Sequence, residues 1–195
     1  MRHRSILIFG LVGLAAVLVL GLTIGKGWYR TQVGSTGTVS IGGPFTLTDG
    51  DGKQVTDQTY RGKWLLVYFG YTYCPDACPT GLNSIAGALK LLGADADKVQ
   101  PLFITVDPER DTAAAMKAYA AAFDSRIAGL TGTPEQIAAV ARAYRVYYKR
   151  VSDGDDYLMD HSVVIYVMDP DGRYSTLLRH NSAPAEIASA LRKLL

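Results

Sequence analysis

The sequence predicts an α/β domain built on a mixed sheet with helices on both faces, preceded by one N-terminal transmembrane helix. Three observations predict it. Trp64 to Phe69 (W-L-L-V-Y-F) and Leu102 to Val106 (L-F-I-T-V) are short, nearly unbroken apolar runs, as in strands covered on both sides. The segments that follow them repeat apolar residues at helical spacing. Ahead of both, Ser5 to Gly25 carries no charge, and Ile6 to Ile24 is almost wholly apolar.

At about 1.5 Å per residue, that apolar run is roughly 30 Å long as a helix, the thickness of a bilayer's hydrocarbon core. Arg2, His3 and Arg4 precede it, and Trp28 and Tyr29 follow Lys26 at the other interface. The positive-inside rule then places residues 1–5 in the cytoplasm, residues 6–25 across the membrane and the remainder on the far side. A cleaved signal peptide is the alternative; the run is longer than the usual signal core, and no A-x-A site follows it. In a bacterium the far side is the periplasm, in a mitochondrion the intermembrane space. There dithiols tend to oxidise unless a reductant or a metal holds them. Residues 26–43 are rich in Gly, Ser and Thr and read as a flexible tether to the domain at 44–195.

Within that domain, Phe45 to Thr48 and Gln54 to Thr56 flank D-G-D-G, a hairpin signal. The strand from Trp64 ends at Gly70, and a short aromatic loop carries Tyr71, Tyr73 and Cys74 to Cys78. Pro79 then opens a helix in which Leu82, Ile85, Ala86, Leu89 and Leu92 share a face and Gly93 supplies the stop. After the strand at Leu102 to Val106, Asp111 or Thr112 caps an alanine-rich helix through Met116, Tyr119 and Phe123. Thr133-Pro134-Glu135 starts a further helix to about Tyr144. Val146 to Val151 reads as a strand, Asp153 to Asp156 as an acidic turn, and Ser162 to Met168 as another strand. D-P-D-G turns the chain into Tyr174 to Leu178, and Ser182 with Pro184 starts the last helix. A β-α-β half followed by a β-β-α half is the thioredoxin-like arrangement.

Composition narrows the function. The chain carries 20 basic and 18 acidic residues; without Arg2 and Arg4 the balance is 18 to 18, so no basic footprint for nucleic acid remains. No glycine cluster has the strand-then-helix context of a phosphate loop.

The chemistry concentrates at the strand-to-helix junction, where the only two cysteines lie. With Cys78 at the helix N-cap and Pro79 in its first turn, the helix terminus faces both sulfurs and favours thiolate. Three readings fit C-P-D-A-C. A structural disulfide across so short a loop adds about 2 kcal/mol at most in the chain-entropy model. Thiol–disulfide exchange has Cys74 attacking and Cys78 resolving. A metal site needs a further ligand, and of the three histidines His161, in D-H-S at the start of an apolar strand, is the candidate. Two thiolates and an imidazole suit Cu(I), hold Cu(II) with an added ligand, and also accept zinc with water. Asp160 is placed to orient the imidazole. Asp107, Glu109, Arg110 and Asp111 read as capping and ion-pairing residues, Met168 as core and Met159 as a weak copper contact. Tyr71 and Tyr73 read as a wall limiting access to the sulfurs, and Asp153, Asp155 and Asp156 as a solvated turn.

The sequence resembles the Sco/SenC proteins, membrane-anchored thioredoxin-like copper proteins of cytochrome c oxidase assembly. Y-F-G-Y-T-Y-C-P-D-A-C-P-T-G-L is similar to the family's cysteine motif, F-I-T-V-D-P-E-R-D-T to its second signature, and D-H-S with I-Y-V-M-D-P-D-G to its histidine segment. The resemblance implies Cys74, Cys78 and His161 as copper ligands and the dithiol as redox-active. It implies copper delivery to the dinuclear copper site of oxidase subunit II, or reduction of that subunit's cysteines. Other copper chaperones or thioredoxin-like reductases are further implied partners. An extracytoplasmic thiol–disulfide oxidoreductase without obligatory copper transfer is the alternative, and no turnover enzyme is required.

Overall fold

The computed structural model describes residues 40–151, 154 and 156–195. The anchor expected at 6–25, the tail before it, most of the tether, and Asp153 and Asp155 lie outside the described residues. Among the described residues, no helix is long and apolar enough to cross a membrane.

β1 (Thr46–Asp49) and β2 (Gln54–Thr56) form the expected antiparallel hairpin, with Leu47 opposite Val55. β3 (Trp64–Gly70) is buried from Leu65 onward, as its uninterrupted apolar run requires. α1 (Ala77–Leu92) follows and ends at Gly93, whose φ of 61° is the positive value glycine adopts without strain. β4 (Val99–Thr105) lies parallel to β3, with Phe69 level with Ile104. α2 (Ala113–Ala121) is capped by Thr112, whose hydroxyl accepts from Ala115 N–H at 3.2 Å.

Between the alanine-rich helix and the next one the structure inserts a strand that the sequence reading lacks. β5 (Ala128–Thr131) runs parallel to β4 and antiparallel to β1, so it joins the hairpin to the central sheet. Its four residues, A-G-L-T, are too few to show a period, and one is glycine. α3 (Pro134–Tyr144) starts with proline in its first turn and a capping box between Thr133 and Gln136.

The expected strand at Val146 to Val151 shrinks to β6 (Tyr148–Arg150), which pairs only with β7 (Met159–His161) in a separate two-stranded ribbon. β8 (Val164–Met168) pairs antiparallel with β3, β9 (Tyr174–Arg179) pairs antiparallel with β8 to complete the sheet, and α4 (Pro184–Arg192) closes the fold against α1.

The sheet order is β2-β1-β5-β4-β3-β8-β9. The crossovers β3-α1-β4 and β4-α2-β5 step in one direction, so right-handedness puts α1 and α2 on one face. The chain then reverses across the sheet to β8, which puts α3 on the other. Ring contacts agree: Tyr68 meets Phe103, which stacks on Tyr119 of α2, while Phe69 and Tyr166 meet Tyr144 of α3. This is the thioredoxin-like mixed sheet, and the C-terminal end of β3, near its centre, delivers the chain to the cysteines.

Candidate metal centre

The site begins with a missing side chain. A Cβ on Gly70 would lie 2.5 Å from Cys78 Sγ and 2.7 Å from the Phe103 ring, so glycine at the end of β3 lets the sulfur rest against the sheet. One layer back, Tyr68 donates its hydroxyl to the carbonyl of Ala77 at 2.8 Å, and Gly81 makes room for that ring. The first turn of α1 is thereby seated on β3.

α1 starts earlier than expected. Asp76 is its N-cap and Cys78 is the second helical residue, with Pro79 after it, still within the turn where proline costs no hydrogen bond. The Asp76 side chain makes no cap bond. Cys74 Sγ fills that place, accepting from Cys78 N–H at 3.3 Å. The helix terminus therefore does act on a sulfur, but on Cys74 rather than on a capping Cys78.

Both cysteines are unbridged thiols. Cys78 is fully buried, and Cys74 is half-buried at the surface. A hydrogen bond from the Cys78 thiol, helped by backbone N–H groups at Cys78 and Asp76, brings the Cys74 thiol down to about 4 against the opposing cost of burial. The bond to Cys74 and then burial push Cys78 up. The resting pair is one thiolate and one thiol that shares its proton.

His161 closes the site from the far side of the chain. It ends β7 rather than starting β8, and Tyr148 is its cross-strand neighbour. Nδ1 faces the carbonyl of Ser162 at 3.0 Å. With Nδ1 as the donor, the lone pair of the neutral ring sits on Nε2, which lies 3.7 Å from Cys78 Sγ. The ring packs edge-on against buried Tyr71, with centroids 5.8 Å apart. One ligand atom from each of Cys74, Cys78 and His161 falls within 4.8 Å of the others. Ligands bound to one ion at 2.0 to 2.3 Å stand about 3.5–4 Å apart, so a small closure forms a complete three-ligand shell. The donors are soft, and the site suits a soft, low-coordinate ion.

Around the site, the residues expected to cap and pair do more than that. Asp111 is fully buried and accepts from Thr72 N–H at 3.1 Å, Thr72 hydroxyl at 2.5 Å and Thr105 hydroxyl at 2.6 Å, pinning the loop before Cys74. Burial raises its pKa, while those hydrogen bonds oppose the shift. Asp107 pairs with Arg110 at 2.6 Å and accepts the Tyr157 hydroxyl at 2.6 Å. Tyr157 has no counterpart in the sequence reading, since no motif or period singles it out, while Thr72 and Ser162 lie inside the quoted motifs with no role of their own assigned.

Of the remaining candidates, Tyr71 forms part of the expected wall, whereas Tyr73 is 61% exposed beneath the Arg110 guanidinium. Asp160 points to solvent beside buried His161, and the group that meets the imidazole Nδ1 is the Ser162 carbonyl. Met159 lines the same groove of about 460 Å³ as Cys74 and His161, and Met168 is core. His180 faces the Val163 carbonyl at 3.1 Å, and Asp156 is exposed.

Residues 33–195 match the SCO1/SenC family model. The chain is 49% identical over 139 residues to the mitochondrial protein SCO1 homolog 1 of Arabidopsis thaliana, covering 70% of this chain and 42% of that protein. It is 41% identical over 155 residues to the human mitochondrial SCO1 homolog, covering 77% and 52%. The chain spans about half the length of these curated relatives. ScoI of Bradyrhizobium japonicum, solved with copper bound, superposes with a TM-score of 0.75 at 52% identity, covering 80% of this chain and 100% of that one.

Proposed function

The chain belongs to the SCO1/SenC family, and from that premise we propose that it is a copper-binding assembly protein for cytochrome c oxidase. In this reading it delivers copper to the dinuclear site of subunit II, or reduces the cysteines that must receive it. The observation that carries the proposal is the convergence of Cys74 Sγ, Cys78 Sγ and His161 Nε2 from two separate parts of the fold. The copper-bound relative at 52% identity supports the choice of ion.

Each residue has a definable part. Cys74, already a thiolate on the surface side, makes the first bond to an arriving Cu(I). Cys78 loses its proton as the ion approaches, because a bound cation lowers a thiol's pKa outright. His161 supplies neutral Nε2 as the third ligand. The site is shallow enough for a partner's sulfur to reach the ion and take it by ligand exchange. The domain then works outside the cytoplasm, held there by the apolar segment at 6–25.

A second reading has its own support. A half-buried low-pKa thiolate beside a fully buried partner thiol is the arrangement for disulfide exchange. Cys74 would attack a partner disulfide and release one thiolate, and Cys78 would then displace the other. This chain ends as the disulfide and the partner as one thiol and one thiolate, with two electrons and the Cys78 proton transferred.

Anaerobic Cu(I) titration of the purified chain and its His161→Ala variant, followed by mixing with metal-free subunit II, tests both. We expect one copper per wild-type chain, weaker binding by the variant, and transfer from the wild type alone. Copper binding unchanged by His161→Ala would sink the assigned site. Reduction of subunit II disulfides without copper transfer would favour the second reading.

A further inference from the structure

His161 sits on the part of the fold least able to hold it. The β6–β7 ribbon has two strands of three residues and makes no pairing with the seven-stranded sheet. An isolated two-strand ribbon is marginal at best in water. Something other than backbone pairing must therefore place the imidazole over the sulfurs. We infer that Tyr157, two residues before β7, is the positioning residue that does so. This inference rests on the three-ligand reading of Cys74, Cys78 and His161.

Tyr157 is an aromatic ring held on every side. Its hydroxyl donates to Asp107 at 2.6 Å. The guanidinium carbons of Arg110 and Arg150 each stand 3.6 Å from its ring centroid. Two guanidiniums at that distance fit only on opposite faces, so the ring is clasped between cations. The clasp joins three segments. Arg110 and Asp107 belong to the loop that follows β4 and are paired to each other. Arg150 belongs to β6, cross-strand from Met159 of β7, and lies 3.9 Å from Glu109. Tyr157 itself leads directly into β7, four residues before His161.

A second, weaker tie lies between Tyr157 and His161, where Met159 N–H donates to the Tyr71 hydroxyl at 3.3 Å. The loop after β4 also ends in Asp111, which pins Thr72 and with it the approach to Cys74. Residues 105–111 thus serve as one reference frame for both halves of the site. Asp111 sets the sulfurs, and the Asp107–Tyr157–Arg150 clasp sets the histidine.

Tyr157→Phe keeps the ring and removes the bond to Asp107; Tyr157→Ala removes both. In the metal-free chain, NMR of the His161 ring protons reads their position directly, because the Tyr71 ring shifts them. We expect both variants to move these signals toward free-histidine values, Tyr157→Ala further than Tyr157→Phe. In Cu(I) competition titrations, Tyr157→Ala should weaken binding at least about tenfold, the scale seen when a ligand's supporting group is lost. In a His161→Ala background the same change should cost nothing more. Equal losses in both backgrounds, or unmoved His161 signals, would overturn the inference. Equal copper affinity of wild type and His161→Ala would instead remove the three-ligand reading, while the NMR arm still decides what Tyr157 holds. Should Tyr157→Ala fail to fold, Tyr157→Phe and Arg150→Ala carry the same comparison.

Discussion

The two halves of the candidate site are built to different standards. Cys74 and Cys78 stand at the end of β3, which is paired along its length to β4 and over four residues to β8, and is buried on both faces. His161 stands on a ribbon outside that sheet, fastened by a few side-chain contacts. Local stability follows buried contacts and paired backbone, so the sulfurs belong to the most resistant part of the molecule and the imidazole to a more easily opened one. Under the proposed copper transfer, the fixed sulfur pair recognises the ion and the more easily opened imidazole sets how tightly it is kept.

The contrast can be broken first on its rigid side. Asp111→Ala would orphan the buried Thr72 N–H and leave two hydroxyls to find new partners, at a cost on the order of 3 kcal/mol. Denaturant unfolding should show the lowered midpoint with an unchanged slope. Gly70→Ala comes next, since its new Cβ meets Cys78 Sγ and the Phe103 ring; overpacking of this kind costs about 1–3 kcal/mol. The same unfolding measurement reads it, and a neutral result would mean that Cys78 does not rest on β3 as described.

The inequality can also be sharpened within the dithiol. Because Cys74 is lowered to about 4, it is already ionised far below the usual thiol range and protonates only as pH falls through about 4. Its alkylation rate should stay nearly flat from pH 8 to 5, whereas an ordinary thiol loses roughly tenfold per pH unit below 8.5. Cys78, pushed up and buried, should remain unmodified in the folded chain. Peptide mapping after timed iodoacetamide exposure checks both. The sign extends to stability: Cys74's ionisation favours the reduced fold most above the unfolded thiol's pKa near 9, and that contribution declines toward pH 4.

On the ribbon side, amide hydrogens in β6 and β7 should exchange well before those of β3 and β4. Equal protection would erase the distinction. The smallest expected effect belongs to Asp160→Asn. That side chain faces solvent and the Nδ1 contact comes from Ser162, so stability should shift by less than about 0.5 kcal/mol. A large loss of copper affinity in this variant would restore Asp160 as a support of the imidazole.

What was legible in the sequence divides along the same line. β3, α1 and the paired cysteines announce themselves locally, through an apolar run, a helical period and a short spacing. β5 and β7 do not: strands of three or four residues that include glycine or charge have no period to read. The start of α1 was misplaced because the first-turn proline is compatible with several caps. The tie of Asp111, read as a cap or ion-pairing residue, to Thr72 and that of Tyr157 to Asp107 are illegible for another reason: the partners lie 39 and 50 residues apart in the chain, and only the folded sheet brings those segments together.

A single sulfur joins the fold to its chemistry. Cys74 Sγ is both the acceptor that begins α1 and one of the three atoms proposed to bind copper. Serine at the same position offers oxygen, among the best acceptors for a helix start, and no soft donor at all. A Cys74→Ser chain would therefore keep the start of α1, lose the stabilisation that the Cys74 thiolate brings above pH 4, and offer one soft donor fewer. Melting curves of Cys74→Ser that fall below wild type at pH 8 and converge with it toward pH 4, with copper uptake weakened, would separate those two roles of one atom.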